Sequence, residues 1–204
     1  MIKFISETLL PTKFGNFRVR AYRDNKTDVE SIALIVGNVS LLENIPTRIH
    51  DQCLTSEVFG SLKCDCHDQL VESMKRIQAN KLGVIIYLQQ EGRGIGLANK
   101  IAAYKLQESG YDTVDANREL GLPDDCREYK VAAFILNDLQ VKSIKLMTNN
   151  PRKISKLKKE GIKVSARLPI VTAQNIHSAS YFETKIKRMG HIIKEAEVID
   201  ETRG

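Results

Sequence analysis

Apolar positions along this 204-residue chain recur with two periods, and segments of each kind alternate along it. Short apolar runs, IALIVG at 32–37 and GVIIYL at 83–88, predict strands, and VKSIKLMT at 141–148 predicts another with partial alternation. Between them the spacing turns helical. Leu70, Val71, Met74 and Ile77 share a helical face before Gly83, Leu97, Ile101, Tyr104 and Glu108 line a helix closed by Gly110, and Val131, Ile135 and Leu139 mark a third. In TNNPRKISKLKKEG a strand ends at Thr148, Asn149 or Asn150 caps a helix, Pro151 takes its first position, and Gly161 closes it before the strand IKVSARL. The stretch from Arg18 to Tyr22 reads as strand. With no internal repeat or linker, the pattern predicts one α/β domain over residues 1–192, followed by a polar tail at 193–204. The expected architecture is a mixed sheet with flanking helices and a β-rich N-terminal portion.

At 23.0 kDa the chain can bury a core without disulfide staples. No apolar run approaches the roughly 18 residues of a membrane span, and the start MIKFISETLLPTKFGNF lacks the apolar stretch and cleavage site of a signal peptide. These features predict a cytoplasmic protein with no membrane partner. A formal net charge of +6 suits a polyanionic ligand, either a nucleotide or a nucleic acid. Aromatic residues are few and not interleaved with the basic run, which favours a small phosphate ligand over nucleic acid.

The cysteines sharpen this picture. Three of the four fall within CLTSEVFGSLKCDC, residues 53–66. In a reducing compartment such clusters are more often metal ligands or catalytic groups than disulfides. Structural zinc sites usually close with four protein ligands, whereas catalytic ones keep three and leave a position open, so three thiolates suggest an open site. If the segment is extended, Cys64 and Cys66 share a side, and His67 falls on the opposite one with Asp65. His67 is therefore expected to be solvated or to cap the next helix.

Two loops look built for phosphate. EGRGIG joins the strand GVIIYL to the helix near Leu97, where backbone N–H groups and the helix dipole favour an anion. Its glycines give G-x-G-x-G, not the dinucleotide pattern, and the turn alone is a weak signal. Arg152 and Lys153 sit at a helix start, where cations oppose the macrodipole unless an anion is bound, while Lys156, Lys158 and Lys159 fit a solvated basic face.

Together LPTKFGNFRV, RIHDQCLTSEVFGSLKCDC, YLQQEGRGIGLANKIAAYKLQ, DTVDAN, the D-x-R of DDCREY, TNNPRK and TKIKRMGH, spread over residues 10 to 191, resemble GTP cyclohydrolase II. The resemblance implies a homodimeric zinc enzyme that also uses magnesium. It would convert GTP and water to formate, pyrophosphate and a diaminopyrimidinone ribosyl phosphate, the first step of riboflavin synthesis. Zinc lowers the pKa of a water it binds to about 7, which suits attack on C8 of the purine. By the same resemblance Cys53, Cys64 and Cys66 hold the zinc, and Tyr104 sits near the reacting carbon. Asp125 is a proton acceptor and Arg127 a nucleophile toward the α-phosphorus. The nucleotide contacts fall on Arg48, Ile49, His50, Asp51, Gln52, Gln69, Glu91, Gly92, Arg93, Thr113, Thr148 and Lys153. Cys126 is not a ligand in this pattern.

The family typically reads Arg-Val-His-Ser-Glu-Cys where this chain has Arg48-Ile49-His50-Asp51-Gln52-Cys53, and Gln89 replaces a more usual arginine. One carboxylate has moved by one residue, which in an extended segment turns it to the other face. Two further readings compete: a divergent relative acting on another purine nucleotide or stopping at an earlier product, and a zinc-stabilised nucleic-acid-binding module.

Overall fold

The computed structural model describes residues 1–172 and Gly190; the tail at 193–204 and most of TKIKRMGH lie outside them. In chain order the elements are β1 (Ile2–Thr12), β2 (Gly15–Asp24), β3 (Val29–Val36), β4 (Ile45–Asp51), α1 (Leu54–Glu57), α2 (Cys66–Asn80) and β5 (Gly83–Leu88). After a 3-10 turn at Glu91–Gly94 come α3 (Leu97–Glu108), α4 (Thr113–Glu119), α5 (Lys130–Asp138), β6 (Ile144–Met147), α6 (Pro151–Lys159) and β7 (Val164–Leu168). The strands form one mixed sheet in the order β1-β2-β3-β5-β4-β6-β7.

The sheet has two halves with different causes. β1, β2, β3 and β5 pair antiparallel, and the first two close a tight hairpin at Thr12↔Gly15. β5, β4, β6 and β7 pair parallel, which requires a crossover between strands. The crossovers are α2 between β4 and β5, α3 to α5 between β5 and β6, and α6 between β6 and β7. They cover both faces. Val84, Ile86 and Leu88 of β5 pack with Ile135 and Leu136 of α5 and Leu157 of α6, while Ile85 packs with Ile77 of α2 and Phe17 of β2. Burial on both faces explains why GVIIYL is continuously apolar and does not alternate.

The expected strands and helices stand near their predicted positions, and the differences have physical reasons. β6 is shorter than 141–148 because Val141 turns back to close α5, its N–H donating to the Leu136 carbonyl at 3.0 Å. Asn150 is the cap of α6, accepting from the Arg152 N–H at 3.0 Å, and Pro151 follows it. Cys64 and Cys66 do not lie on an extended segment: Cys66 opens α2, and Asp65 is buried. Three elements give no clear apolar period. β1 is an exposed edge strand held by β2, β4 buries Arg48 and His50 among its apolar positions, and α4 depends on its cap, Asp112, which accepts from the N–H groups of Val114 and Asp115.

Candidate active site

The parallel half brings the C-terminal ends of β4, β5 and β6 to one side, the usual position for ligands in such sheets. A cleft of about 500 Å³ opens beside them, a size suited to a nucleotide. Its wall includes Asp51 at the end of β4 and Gln52 after it, Gln90 to Arg93 after β5, Lys100 and Tyr104 from α3, Thr113 from α4, and Arg127.

One end of the cleft carries sulfur. The Sγ atoms of Cys53, Cys64 and Cys66 lie within 4.8 Å of one another, with Cys53 and Cys64 3.5 Å apart. Four-coordinate zinc with Zn–S near 2.3 Å sets its sulfurs about 3.8 Å apart, so this donor set fits such an ion. Cys53 precedes the short α1, whose exposed N–H groups are taken by two carboxylates. Glu57 accepts from the Cys53 N–H at 2.8 Å, and Glu91 accepts from the Leu54 N–H at 2.6 Å. Glu57 is itself held by Tyr87 OH at 2.6 Å and by His50 Nε2 at 2.8 Å. Lys100 Nζ donates to Cys53 Sγ at 3.1 Å, Thr55 Oγ1 at 2.9 Å and Glu91 Oε1 at 2.7 Å. Hydrogen bonds from the other two thiols, and from Lys100, depress the Cys53 thiol, whereas Cys64 and Cys66 are pushed up by Cys53 and by burial. A cation would let all three ionise. Tyr104 is one helical turn from Lys100 and is pushed up to about 12, chiefly by burial, so its phenol stays protonated.

The other end carries charge. Arg127 donates through Nε and Nη2 to the two oxygens of Asp125 at 2.9 and 2.7 Å, and through Nη1 to Asp51 Oδ2 at 3.0 Å. Burial lowers its pKa, but the Asp125 hydrogen bonds and the Asp51 charge outweigh that and keep it a guanidinium. Lys153 Nζ reaches the same Asp51 oxygen at 2.9 Å and the Ile49 carbonyl at 2.8 Å, and Tyr129 OH reaches it at 3.3 Å. Burial alone would raise Asp51, yet Lys153 and Arg127 hold it at about 2.

The glycine loop joins the two ends. Gly92 and Arg93 both adopt left-handed backbone, with φ of 61° and 62°. Gly94 packs against the 125–127 loop: a Cβ there would meet Cys126 Cβ at 3.1 Å, and the Cys126 N–H donates to the Arg93 carbonyl at 3.0 Å. Cys126 itself is exposed and outside the thiol cluster, as is His67, whose N–H donates to Ser56 Oγ.

Of the residues singled out in the sequence, Asp51, Gln52, Glu91, Gly92, Arg93, Tyr104, Thr113, Arg127 and the three clustered cysteines line this cleft. The others do not. Arg48 is buried behind it, donating to the Met147 carbonyl at 3.0 Å and to Gln69 Oε1 at 2.6 Å, and Gln69 in turn donates to Asp65 at 2.6 Å. Ile49 is in the core, His50 holds Glu57, Asp125 backs Arg127, and Thr148 accepts from the Asn150 N–H. Lys153 stands beneath Asp51. Sequence reading passed over Glu57, Lys100 and Tyr129; the spacing of Lys100 and Tyr104 at i and i+4 was the one available signal.

A family model for GTP cyclohydrolase II matches residues 3–169. A GTP cyclohydrolase-2 of Picrophilus torridus is 45% identical over 192 residues, covering 94% of this chain and all of that protein. A GTP cyclohydrolase-2 of Acinetobacter baumannii strain SDF is 48% identical over 199 residues, with coverage of 95% and 98%. The riboflavin biosynthesis protein RibBA of Bacillus cereus strain G9842 is 46% identical over 187 residues, 92% of this chain but 47% of that protein. With a matching family model across most of its length and near-full-length relatives of this similarity, the chain belongs to the GTP cyclohydrolase II family.

Proposed function

We propose that the protein hydrolyses GTP, opening the imidazole ring and releasing formate and pyrophosphate, as the entry reaction of riboflavin biosynthesis. The observation that carries this reading is the convergence, on one nucleotide-sized cleft, of a three-thiol cluster at one end and a doubly paired arginine at the other. Ring opening consumes two waters, one at C8 and one at the resulting formamide, and cleavage of the triphosphate consumes a third.

Cys53, Cys64 and Cys66 would hold a zinc ion, which when bound supplies a Lewis acid and an acidified water. Tyr104, protonated and flanked by the Lys63 and Lys100 ammonium groups, would donate a hydrogen bond toward the purine end. Lys100 keeps a positive charge against Cys53 and holds Glu91 in place. At the phosphate end Arg93 and Arg127, which line the cleft, would meet the negative charge of the triphosphate. Nucleophilic attack by Arg127 on the α-phosphorus, forming an N–P bond as pyrophosphate leaves, would require the guanidinium to give up a proton against the pull of its ion pair, and Asp125, bonded to Nε and Nη2, is the nearest carboxylate to accept it. Thr113 and the 91–93 turn shape the remainder of the nucleotide site, and the working form is a homodimer.

Incubation of the purified protein with GTP, zinc and magnesium, with formate and pyrophosphate assayed separately, tests this reading. Both products are expected. Zinc-loaded, folded protein that releases neither would overturn it, and pyrophosphate without formate would favour the divergent relative.

A further inference from the structure

We propose that Asp51 is a positioning residue that sets the placement of Arg127 and Lys153 and does not itself contact the substrate. The inference rests on the GTP reading for what those cations do, and on the structure alone for how they are held.

Three donors from three places converge on one oxygen of this carboxylate: Arg127 Nη1, Lys153 Nζ from α6 and Tyr129 OH. The second oxygen, Oδ1, is buried and has no hydrogen-bond partner among the described residues. Oδ1 thus offers almost no accessible surface and Oδ2 is already taken by three donors, although the residue lines the cleft. Asp125 alone cannot fix Arg127 in the molecule, because it lies two residues away on the same loop and moves with it. Asp51 ends β4, an interior strand of the sheet paired on one side with β5 and on the other with β6. Its single carboxylate thus fastens the 125–127 loop and α6 to the end of that interior strand, where Asp51 itself pairs with Leu88 of β5. With Nε and Nη2 held by Asp125 and Nη1 by Asp51, the guanidinium has no freedom to rotate about its last bonds without breaking an ion pair. Lys153, 4% exposed and bonded also to the Ile49 carbonyl, is anchored twice to the same strand end.

Where the ordered cations act on the charge that develops in the transition state, loosening them lowers turnover more than affinity. A group that touches the nucleotide or its magnesium affects both or affinity alone. The full chain carrying Asp51→Ala or the isosteric Asp51→Asn distinguishes these, with folding followed by circular dichroism.

The first measurement uses no nucleotide: phenylglyoxal modification of Arg127, mapped by mass spectrometry. It is expected to quicken several-fold in Asp51→Ala and less in Asp51→Asn, which keeps one acceptor oxygen. The second is steady-state pyrophosphate release from GTP, where kcat is expected to fall about tenfold or more while KM moves less than about threefold.

Arg127 labelled at the wild-type rate in a folded variant would overturn the proposal, as would a raised KM with kcat unchanged. Should wild-type protein release no pyrophosphate, the GTP reading fails and the labelling still decides the role of Asp51. Should Asp51→Ala not fold, the asparagine variant carries both measurements.

Discussion

Lys153 is a buried ammonium whose pKa is pushed down to about 8, first by burial and then by Arg48 and Arg127, with the Asp51 carboxylate opposing. Below that pH it is charged, pairs with Asp51 and adds to the positive field at the phosphate end; above it the charge is lost. The expected result is a fall of kcat/KM for GTP as pH rises through about 8. Lys153→Arg, slower in absolute terms because guanidinium is larger, should lack that limb. The stability linkage of Lys153 itself runs in the opposite direction. Between about 8 and 10.5 the unfolded chain holds the extra proton, so this group's contribution to stability improves as pH rises.

The same scale holds the metal test. Cys64→Ser is expected to lose zinc and formate release together while keeping its circular dichroism, because the core packed on both faces of the sheet does not depend on the thiols. A metal-free variant with normal formate release would remove the cysteines from the reaction. The cysteines were legible because they are close in sequence. Lys100 and Tyr129 were not, because their partners Cys53 and Asp51 lie 47 and 78 residues away, and no local pattern records such a pairing.

Among the elements, the 91–94 turn is the part whose failure spreads furthest. Gly94 has φ of 89°, and an added Cβ would press the Cys126 backbone carbon at 3.2 Å. Gly94→Ala is therefore expected to shift the loop bearing Asp125 and Arg127, lowering pyrophosphate release at least about tenfold by misplacement while zinc content stays normal. Retained pyrophosphate release with the alanine in place would show the two loops to be independent.

Elements with a continuous apolar run, such as β5, or an apolar helical spacing, such as α2, could be read directly. β4 could not, since the strand that carries the site buries an arginine and a histidine, residue types that sequence patterns assign to the surface. β1 and α4 escaped for the opposite reason. The first is exposed nearly throughout, and the second is a short helix made by its cap.

At the scale of the whole molecule, the α/β class and mixed sheet followed from alternating periods, but the strand order did not, because it is set by crossovers that leave no local trace. Apolar side chains remain exposed on β1 at Phe4, Ile5, Leu9 and Leu10, and near the thiols at Val58, Phe59 and Leu62. Sedimentation equilibrium is expected to give twice the 23.0 kDa chain mass, in keeping with the proposed homodimer. A single-chain mass at micromolar concentration would exclude it.

The ion pair between Asp51 and Lys153 also sets an order in time. The two residues are 102 positions apart, so at roughly 5 to 20 residues per second a ribosome adds the lysine about 5 to 20 s after the aspartate. For most of that interval the cysteine cluster, made just after Asp51, already exists in the nascent chain, while the carboxylate lacks both its cations until Arg127 is added 76 positions after it. Zinc capture can thus precede the setting of the phosphate end, and the strand end shared by the two chemistries is completed only when α6 has been made.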